Sequence, residues 1–244
     1  MLQPRDRLIV ALDVSSATQA RQIVQTIGEG AVTYKIGKQL FTAEGPQVVR
    51  DLVSSGRKVV LDLKFHDIPN TVAAAVKAAA GLGVSMLTVH ASGGSKMLKA
   101  AVDAAAQSSG RPMVLAVTVL TSLSDSDLQD LGITGSVVSQ VLRLGALALN
   151  AGCGGAVASA QEARELRREL GAGFVIVTPG IRPAGVGVGD QARVVTPADA
   201  IAAGATYLVV GRPILDAHDP SKAAGEIVHA IEKAPVPAAY QSLD

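Results

Sequence analysis

The chain is poor in the residues that stack on nucleic-acid bases and has almost no excess charge. Its 244 residues include no Trp, and aromatic residues make up 2% of the sequence. Because proteins hold single-stranded nucleic acids largely by aromatic stacking, this composition argues against a base-stacking surface. The 22 basic and 21 acidic residues leave a net charge of +1, which offers no general attraction for nucleic acid or an anionic membrane. We therefore expect neither of these as a partner.

Cysteine is also nearly absent, since Cys153 is the only one. It can form no intrachain disulfide, and a metal site built from cysteines is excluded. This usage favours a reducing cytoplasm. The apolar run near the N-terminus is too short for a signal peptide, and the longest uncharged stretch, residues 144–161, contains four glycines. That stretch is typical of a helix end, a turn and a strand, so we predict a cytoplasmic protein without a membrane span.

Short apolar runs alternate with alanine-rich helical patterns along the whole chain. The runs are rich in Val, Ile and Leu without strict alternation, which is typical of parallel strands covered on both faces. They span residues 7–14, 32–37, 58–65, 86–92, 112–120, 155–160, 173–180 and 206–213. Eight strands alternating with helices predict a single-domain (β/α)8 TIM barrel over residues 1–244, with a loosely ordered tail from about residue 234. A doubly wound open sheet is the alternative, although it usually has fewer strands.

Polar residues fall at or just after the ends of these runs. In a (β/α)8 barrel the active site lies at the C-terminal ends of the strands, so residues at these positions meet at one rim. The residues are Asp13, Lys35, Asp62, Lys64, His90, Thr121, Ser122, Arg182, Gly211 and Arg212. Scattered surface charge would not converge in this way, so we predict a functional site at this rim.

The third run carries the densest set of charges, in the stretch "LDLKFHDIPNTV". Asp62 and Lys64 are two positions apart, so on a strand they face the same side. Asp67 lies in the following turn, and Thr71 is one helical turn further on. A lone Asp–Lys pair would usually be a structural ion pair, but with Lys35 and Asp67 the set has four charges. Burying such a set is costly unless all are paired, and perturbed charges cluster at functional sites, so we favour a functional role.

Two histidines lie near this set. For His66 we favour a structural or surface role. For His90, lining the pocket and satisfying a hydrogen bond of the core are equally good interpretations, and the sequence leaves both open.

The seventh and eighth runs indicate a phosphate site. "TPGIRP" supplies Gly180 and Arg182, "VGRP" supplies Gly211 and Arg212, and the glycine-rich loop "PAGVGVGDQ", residues 183–191, lies between them. Barrels often bind phosphate with these two loops, where glycine lets backbone N–H groups approach an anion and Arg offers a bidentate fork. An isolated "GVGVG" would be an ordinary surface loop and lacks the context of a dinucleotide fingerprint. The motifs on either side of it favour phosphate binding.

With these motifs in place, the chain resembles the orotidine 5'-phosphate decarboxylase family. "DLKFHDIPNT", residues 62–71, is similar to the family signature D-x-K-x-x-D-I-x-x-T. The blocks "ALD", "YKIGKQLF", "VHASGG", "VTVLTSL", "VTPGIRP", "GDQ" and "VVGRPI" follow the family order over nearly the whole chain. The resemblance implies a carboxy-lyase that converts orotidine 5'-monophosphate to uridine 5'-monophosphate, the last step of de novo pyrimidine biosynthesis, without metal or cofactor.

The resemblance also implies residue roles and a homodimer with two active sites at the interface. Lys64 would protonate the C6 carbanion, Asp62 would adjoin the leaving carboxylate, and Lys35 and Asp67 would complete the catalytic set, with Asp67 and Thr71 reaching into the partner's site. Gln191 and Arg212 would grip the phosphate. The implied substrate-binding residues are Asp13, Lys35, Asp62, Ile68, Thr71, Thr121, Ser122, Arg182, Gln191, Gly211 and Arg212.

Two other functions remain open at this point. Magnesium-dependent sugar-phosphate decarboxylases on a similar barrel share an Asp-x-Lys-x-x-Asp pattern but place an acid where this chain has Lys35. A lysine there repels a divalent cation, so we favour the metal-free reaction. A barrel that binds nucleotide phosphates without chemistry would use the arginines and glycines, but it gives no reason for the charged set.

Overall fold

A computed structural model describes residues 2–183 and 195–235 of the chain. In this part, eight parallel strands close into a barrel in sequence order. The strands are β1 (Leu8–Ala11), β2 (Thr33–Gly37), β3 (Lys58–Phe65), β4 (Met86–His90), β5 (Met113–Val117), β6 (Gly155–Val157), β7 (Val175–Thr178) and β8 (Tyr207–Val210). Each strand lies within one predicted run. The (β/α)8 prediction is therefore confirmed, and the open-sheet alternative is wrong.

Helices follow the strands and cover the outside of the barrel. They are α1 (Ala17–Ile27), α2 (Lys38–Glu44), α3 (Gln47–Ser54), α4 (Pro69–Ala80), α5 (Gly94–Ala106), α6 (Asp125–Asp130), α7 (Val137–Asn150), α8 (Ala160–Leu170), α9 (Pro197–Ala202), α10 (Arg212–Leu215) and α11 (Pro220–Glu232). Several begin after a Ser, Thr or Asp whose side chain accepts a hydrogen bond from a backbone N–H group of the first turn, as Ser16 does from Gln19. Such caps satisfy donors that have no partner within the helix and fix where each helix starts.

Alternate residues of each strand face the helices or the barrel interior. Leu8 and Val10 belong to the large core under the helices, whereas Ile9 between them belongs to a second cluster. That second cluster fills the barrel and contains Ile9, Val60, Met86, Leu115 and Val177. Because the side-chain period of a strand is two, Asp62 and Thr88 are the next inward positions after Val60 and Met86. Polar groups thus stand directly above an apolar floor.

A buried arginine holds the backbone just before the N-terminal ends of β7 and β8. Arg167 of α8 is 3% exposed. Its guanidinium donates hydrogen bonds to the carbonyl oxygens of Gly171 and Phe174, before β7, and of Gly204, before β8. Buried charged groups need such a full set of partners, and contacts at this face of a barrel serve stability.

Cys153 lies between α7 and β6, where it is buried and free. Burial raises the pKa of its thiol to about 12. In the described ranges we find no helix of the length and apolarity that crossing a membrane requires. Most of the predicted tail, residues 236–244, lies outside the described residues.

Candidate active site

A cavity of about 730 Å³ opens at the C-terminal ends of the strands. Its floor is apolar and includes Val60, Leu115, Val177 and Val209, which point into the barrel. Its polar lining includes Asp13, Lys35, Asp62, Lys64, Thr88, Thr121, Arg182 and Arg212. The structure therefore brings most of the predicted rim residues together around one cavity of a size suited to a small ligand.

Four charged side chains of alternating sign form a row across one wall of this cavity. The Nζ atom of Lys35 lies 2.9 Å from Oδ1 of Asp13 and 3.5 Å from Oδ2 of Asp62. The Nζ atom of Lys64 lies 2.8 Å from each oxygen of Asp62. Asp62 is only 9% exposed, and burying its charge would be costly without partners. The two flanking ammonium groups supply them. We call Asp13, Lys35, Asp62 and Lys64 the charge row.

The end of β2 leaves space for the charge row. Gly37 pairs with Asp62 across β2 and β3, two residues after Lys35 on the same side of the strand. A Cβ atom at Gly37 would lie 3.0 Å from Nζ of Lys35 and 3.1 Å from Oδ1 of Asp13. The missing side chain thus makes room for the ammonium group between its two carboxylates.

The row determines the protonation of its central carboxyl group. Burial alone would raise the pKa of Asp62, but the charges of Lys35 and Lys64, with hydrogen bonds from Lys64 and Thr88, hold that pKa below its ordinary value. Asp62 is therefore ionised near neutral pH, and the cavity presents a fixed negative charge between two fixed positive charges.

Lys64 reaches its position through an irregular backbone. Its φ angle is +53°, in the left-handed region that side chains other than glycine rarely adopt. The pairing of β3 with β4 changes register between Leu61 and Phe65, so the strand is not regular there. The sequence correctly placed Asp62 and Lys64 on one side, but a regular strand is not the reason. Strained backbone of this kind clusters at functional sites.

Thr88 of β4 was missed by the sequence analysis. Its hydroxyl donates a hydrogen bond to Oδ1 of Asp62 at 2.9 Å and accepts one from the N–H group of Lys64 at 3.0 Å. Thr88 sits inside an apolar run, so composition gave no signal. Strand parity could have found it, because it lies two residues before His90 on the inward side of β4.

The two histidines lie next to each other beside the cavity. The ring centroids of His66 and His90 are 5.4 Å apart. Burial lowers the pKa of His90, and the nearby charges of His66, Lys38 and Lys64 lower it further. Within the described residues, His90 is not part of the cavity lining. His66 is exposed, in keeping with the surface role expected for it.

The remaining residues of the signature stay outside their own chain's cavity. Asp67, Ile68 and Thr71 are exposed, and none of the three lines the cavity in the part of the chain described here. Oδ1 of Asp67 accepts a hydrogen bond from the N–H group of Ile68. Of the four charges predicted to be adjacent, Asp67 is therefore apart from the other three in this chain, and Asp13 takes its place in the row.

The predicted phosphate residues line the part of the cavity that follows β7 and β8, where Gly211 lies next to Asp13 of the charge row. Gly180, Arg182, Gly211 and Arg212 all belong to its lining. Arg182 is 6% exposed, and its buried Nε atom has no hydrogen-bond partner among the described residues. A buried donor without a partner is costly. Gln191 and residues 184–191 of the glycine-rich loop lie outside the described residues.

The residues after β5 divide between two cavities. Thr121 lines the main cavity. Ser122 instead lines a neighbouring cavity of about 310 Å³, with Leu123 and Ser124. In residues 2–183 and 195–235 we find no cluster of three or more His, Cys, Asp or Glu side chains placed to bind a metal ion.

Comparisons with known proteins agree over nearly the whole chain. Residues 6–227 match the model of the orotidine 5'-phosphate decarboxylase / HUMPS family. The chain is 52% identical over 225 residues to the orotidine 5'-phosphate decarboxylase of Idiomarina loihiensis, a match that covers 92% of this chain and 97% of that protein. It is 49% identical over 226 residues to the enzyme of the same name from Hydrogenovibrio crunogenus, with coverage of 93% and 96%.

A solved structure shares the fold as well. The crystal structure of orotidine 5'-phosphate decarboxylase from Lactobacillus acidophilus superimposes with a TM-score of 0.82 at 40% sequence identity. The match covers 93% of this chain and 99% of that one. The similarity thus includes both the sequence and the barrel that carries the charge row.

Proposed function

The chain belongs to the orotidine 5'-phosphate decarboxylase / HUMPS family, and on that premise we propose that it decarboxylates orotidine 5'-phosphate to uridine 5'-phosphate. It is a carboxy-lyase of pyrimidine biosynthesis. The observation that best supports this reaction is the charge row, because it holds an ammonium group and a carboxylate side by side above an apolar floor.

The chemistry explains why such a row is useful. Loss of carbon dioxide breaks the bond between C6 of the pyrimidine and its carboxylate and leaves the electron pair on C6. That pair lies in the plane of the ring and does not delocalise into the π system. Stabilisation must therefore come from positive charge fixed nearby, which a preorganised site supplies without reorganisation during the reaction.

We assign this positive charge to Lys64. Its ammonium group stabilises the growing negative charge at C6 and then transfers a proton there, forming the C6–H bond of the product. The two 2.8 Å contacts with Asp62 fix the ammonium group in one place. A general acid must be held within hydrogen-bond reach of its target, and this pairing supplies that restraint.

Asp62 and Lys35 have supporting roles. Asp62 would adjoin the departing carboxylate, where like charge raises the free energy of the bound substrate relative to the transition state. Lys35 lies between Asp62 and Asp13 and holds the row together. Asp13 and Lys35 would also bind the ribose hydroxyls. Thr121 would meet the pyrimidine or its loop, whereas Ser122 lines the neighbouring cavity.

The charge row alone supplies too little stabilisation of the transition state to account for a demanding enzymatic acceleration. One ion pair at ~4 Å contributes about 4 kcal/mol at an effective dielectric constant near 20. The most demanding enzymatic accelerations need on the order of 20 kcal/mol. The rest must come from exclusion of water and from binding energy remote from C6. We assign that remote binding to the phosphate group, held by Arg182, Gly211, Arg212 and, outside the described residues, Gln191.

We further propose a homodimer in which each chain completes its partner's site. Asp67, Ile68 and Thr71 are exposed and lie off the cavity of their own chain. Ile68 is 67% exposed, so an interface that covers it would remove apolar area from water. We propose the cytoplasm as the compartment, since the chain has a single cysteine and therefore forms no disulfide of its own.

One assay tests the reaction against its alternatives. Purified protein is mixed with orotidine 5'-phosphate, and the loss of orotate absorbance and the release of carbon dioxide are followed with and without a strong chelator. We expect turnover that the chelator leaves unchanged, since Lys35 occupies the space beside Asp62 where a cation would bind. Turnover lost to the chelator would favour the magnesium-dependent chemistry. Binding without carbon dioxide release would favour a non-catalytic barrel.

A further inference from the structure

We propose that Thr88 is a positioning residue that aligns Lys64 with Asp62 for proton transfer. This inference rests on the proposed function and names a residue outside the family signature found in the sequence. Thr88 lies on β4, the strand next to the one that carries both charges, and is 2% exposed. It lines the same cavity as the charge row.

The hydroxyl of Thr88 connects the side chain of Asp62 to the backbone of Lys64. It donates to the side-chain oxygen Oδ1 of Asp62 at 2.9 Å and accepts from the backbone N–H group of Lys64 at 3.0 Å. Lys64 in turn contacts the same Oδ1 atom through Nζ at 2.8 Å. The three residues therefore form a closed ring of contacts, in which moving any one of them strains the other two.

The ring matters because the backbone at Lys64 has no regular strand partner. The register of β3 against β4 breaks between Leu61 and Phe65, so the ladder does not supply the usual acceptor for the N–H group of Lys64. A side chain from β4 supplies it instead. Left-handed backbone is unfavourable for a residue with a Cβ atom, so it persists only where its surroundings hold it.

Few side chains can take this position. The group must donate and accept at once, fit beneath a buried carboxylate and carry no charge, which among the smaller side chains leaves serine, threonine and asparagine. Valine has nearly the shape of threonine but can form neither bond. It would leave the Lys64 N–H group unpaired and remove one donor from Asp62.

The test compares Thr88→Val with Thr88→Ser and with a matched control, Thr118→Val. Thr118 is a buried threonine like Thr88 and lies just after the end of β5. Its hydroxyl donates to the carbonyl oxygen of Val157, and it does not contact the charge row. We expect Thr88→Val to lower kcat by roughly 10- to 100-fold with KM changed by less than about threefold, since a misplaced catalytic group costs turnover more than binding. Thr88→Ser and Thr118→Val should keep most of the activity.

A pH profile separates positioning from a loss of stability. Asp62 is faced by Lys35 from β2, Lys64 from β3 and the Thr88 hydroxyl from β4, with Asp13 beyond Lys35. The Thr88 hydrogen bond helps to lower the pKa of Asp62, so its removal raises that pKa. The acid limb of kcat/KM should therefore move to higher pH in Thr88→Val and stay in place in Thr118→Val.

The results distinguish this inference from the function on which it rests. An inactive wild-type chain would overturn the proposed reaction. An active wild type with a Thr88→Val variant of equal kcat, or a Thr88→Ser variant as impaired as Thr88→Val, would overturn only the role of Thr88. If Thr88→Val does not fold, Thr88→Ala replaces it, because the smaller side chain cannot overfill the site. Titration with uridine 5'-phosphate confirms that the cavity is intact in each folded variant.

Discussion

Lys64 has both a proposed catalytic role and a strained backbone. Two substitutions at this position test the catalytic role and the strain separately. We expect Lys64→Ala to lower turnover by roughly 10⁴-fold or more, because no other described donor is held against Asp62 in the same way. Binding of uridine 5'-phosphate, measured by calorimetry, should remain. Substantial decarboxylation by Lys64→Ala would remove it as the proton donor.

Lys64→Gly is the companion variant for stability. Both substitutions remove the ammonium group, but glycine adopts a φ angle of +53° without the Cβ penalty that alanine keeps. Lys64→Gly should therefore be about 1 kcal/mol more stable than Lys64→Ala in urea denaturation. Equal stabilities would show that no strain is stored at this position.

Gly37 gives a second prediction at the scale of one residue. Its backbone is extended and suits any residue, so the effect of Gly37→Ala comes from the added methyl group pressing on Lys35 and Asp13. We expect a several-fold or greater fall in kcat/KM with a change of less than about 1 kcal/mol in unfolding free energy. Wild-type kinetics in this variant would show that the ammonium group of Lys35 has room to move.

Single residues also show what the sequence could and could not predict. Spacing predicted that Asp62 and Lys64 share one side of a regular strand, and the two side chains do meet, although the backbone at Lys64 is irregular. It could not reveal the positive φ of Lys64 or the hydroxyl of Thr88 beneath the pair, since both depend on how β3 and β4 pair. The resemblance anticipated that Asp67 would stand apart from its own site, which no spacing rule gives.

At the scale of elements, the close approach of β6 and β7 is the most sensitive contact to test. A Cβ atom at Gly155 would overlap the backbone carbonyl of Val175 and lie 2.6 Å from the Cβ atom of Val175. Backbone atoms of paired strands cannot move aside independently, so Gly155→Ala should lower the unfolding free energy by about 1–3 kcal/mol or more. Gly173→Ala, with nothing within 4 Å of the new atom, is the control. Equal denaturation midpoints for the two variants would contradict this account.

The predicted elements were most reliable where the pattern was long. All eight strands lie in apolar runs, because a strand buried on both faces is apolar over most of its length, even where single polar residues enter the cavity. The short helices α2, α6 and α10 are hard to recognise in the sequence, since four to seven residues do not complete two helical periods. Helix α11 has a readable pattern, with Ala224, Ile227 and Ile231 buried, and could have been predicted.

At the scale of the whole molecule, the proposed dimer predicts that two different inactive chains form an active heterodimer. We consider heterodimers of Lys64→Ala and Asp67→Ala chains, purified by two different tags. If Asp67 serves the partner's site, one site carries both substitutions and the other carries neither. In a two-fold symmetric dimer this gives about half the wild-type activity per dimer.

The homodimers of each variant are the controls, and both should be nearly inactive. A heterodimer as inactive as its parents would mean that Asp67 serves its own chain. An Asp67→Ala homodimer with wild-type activity would mean that Asp67 serves no site. A chain that stays monomeric in analytical ultracentrifugation would contradict the dimer directly.

The burial of Cys153 makes its rate of chemical labelling a measure of how often the structure around it opens. With its thiol buried and the pKa raised to about 12, almost no thiolate is available at pH 8 while the barrel is closed. A thiol reagent should therefore label the chain only as fast as the region between α7 and β6 opens, at one site per chain. The labelling rate should slow when uridine 5'-phosphate binds, so ligand affinity could be read from cysteine chemistry in an assay that involves no turnover. Fast labelling that the ligand leaves unchanged would show that this region opens independently of the site.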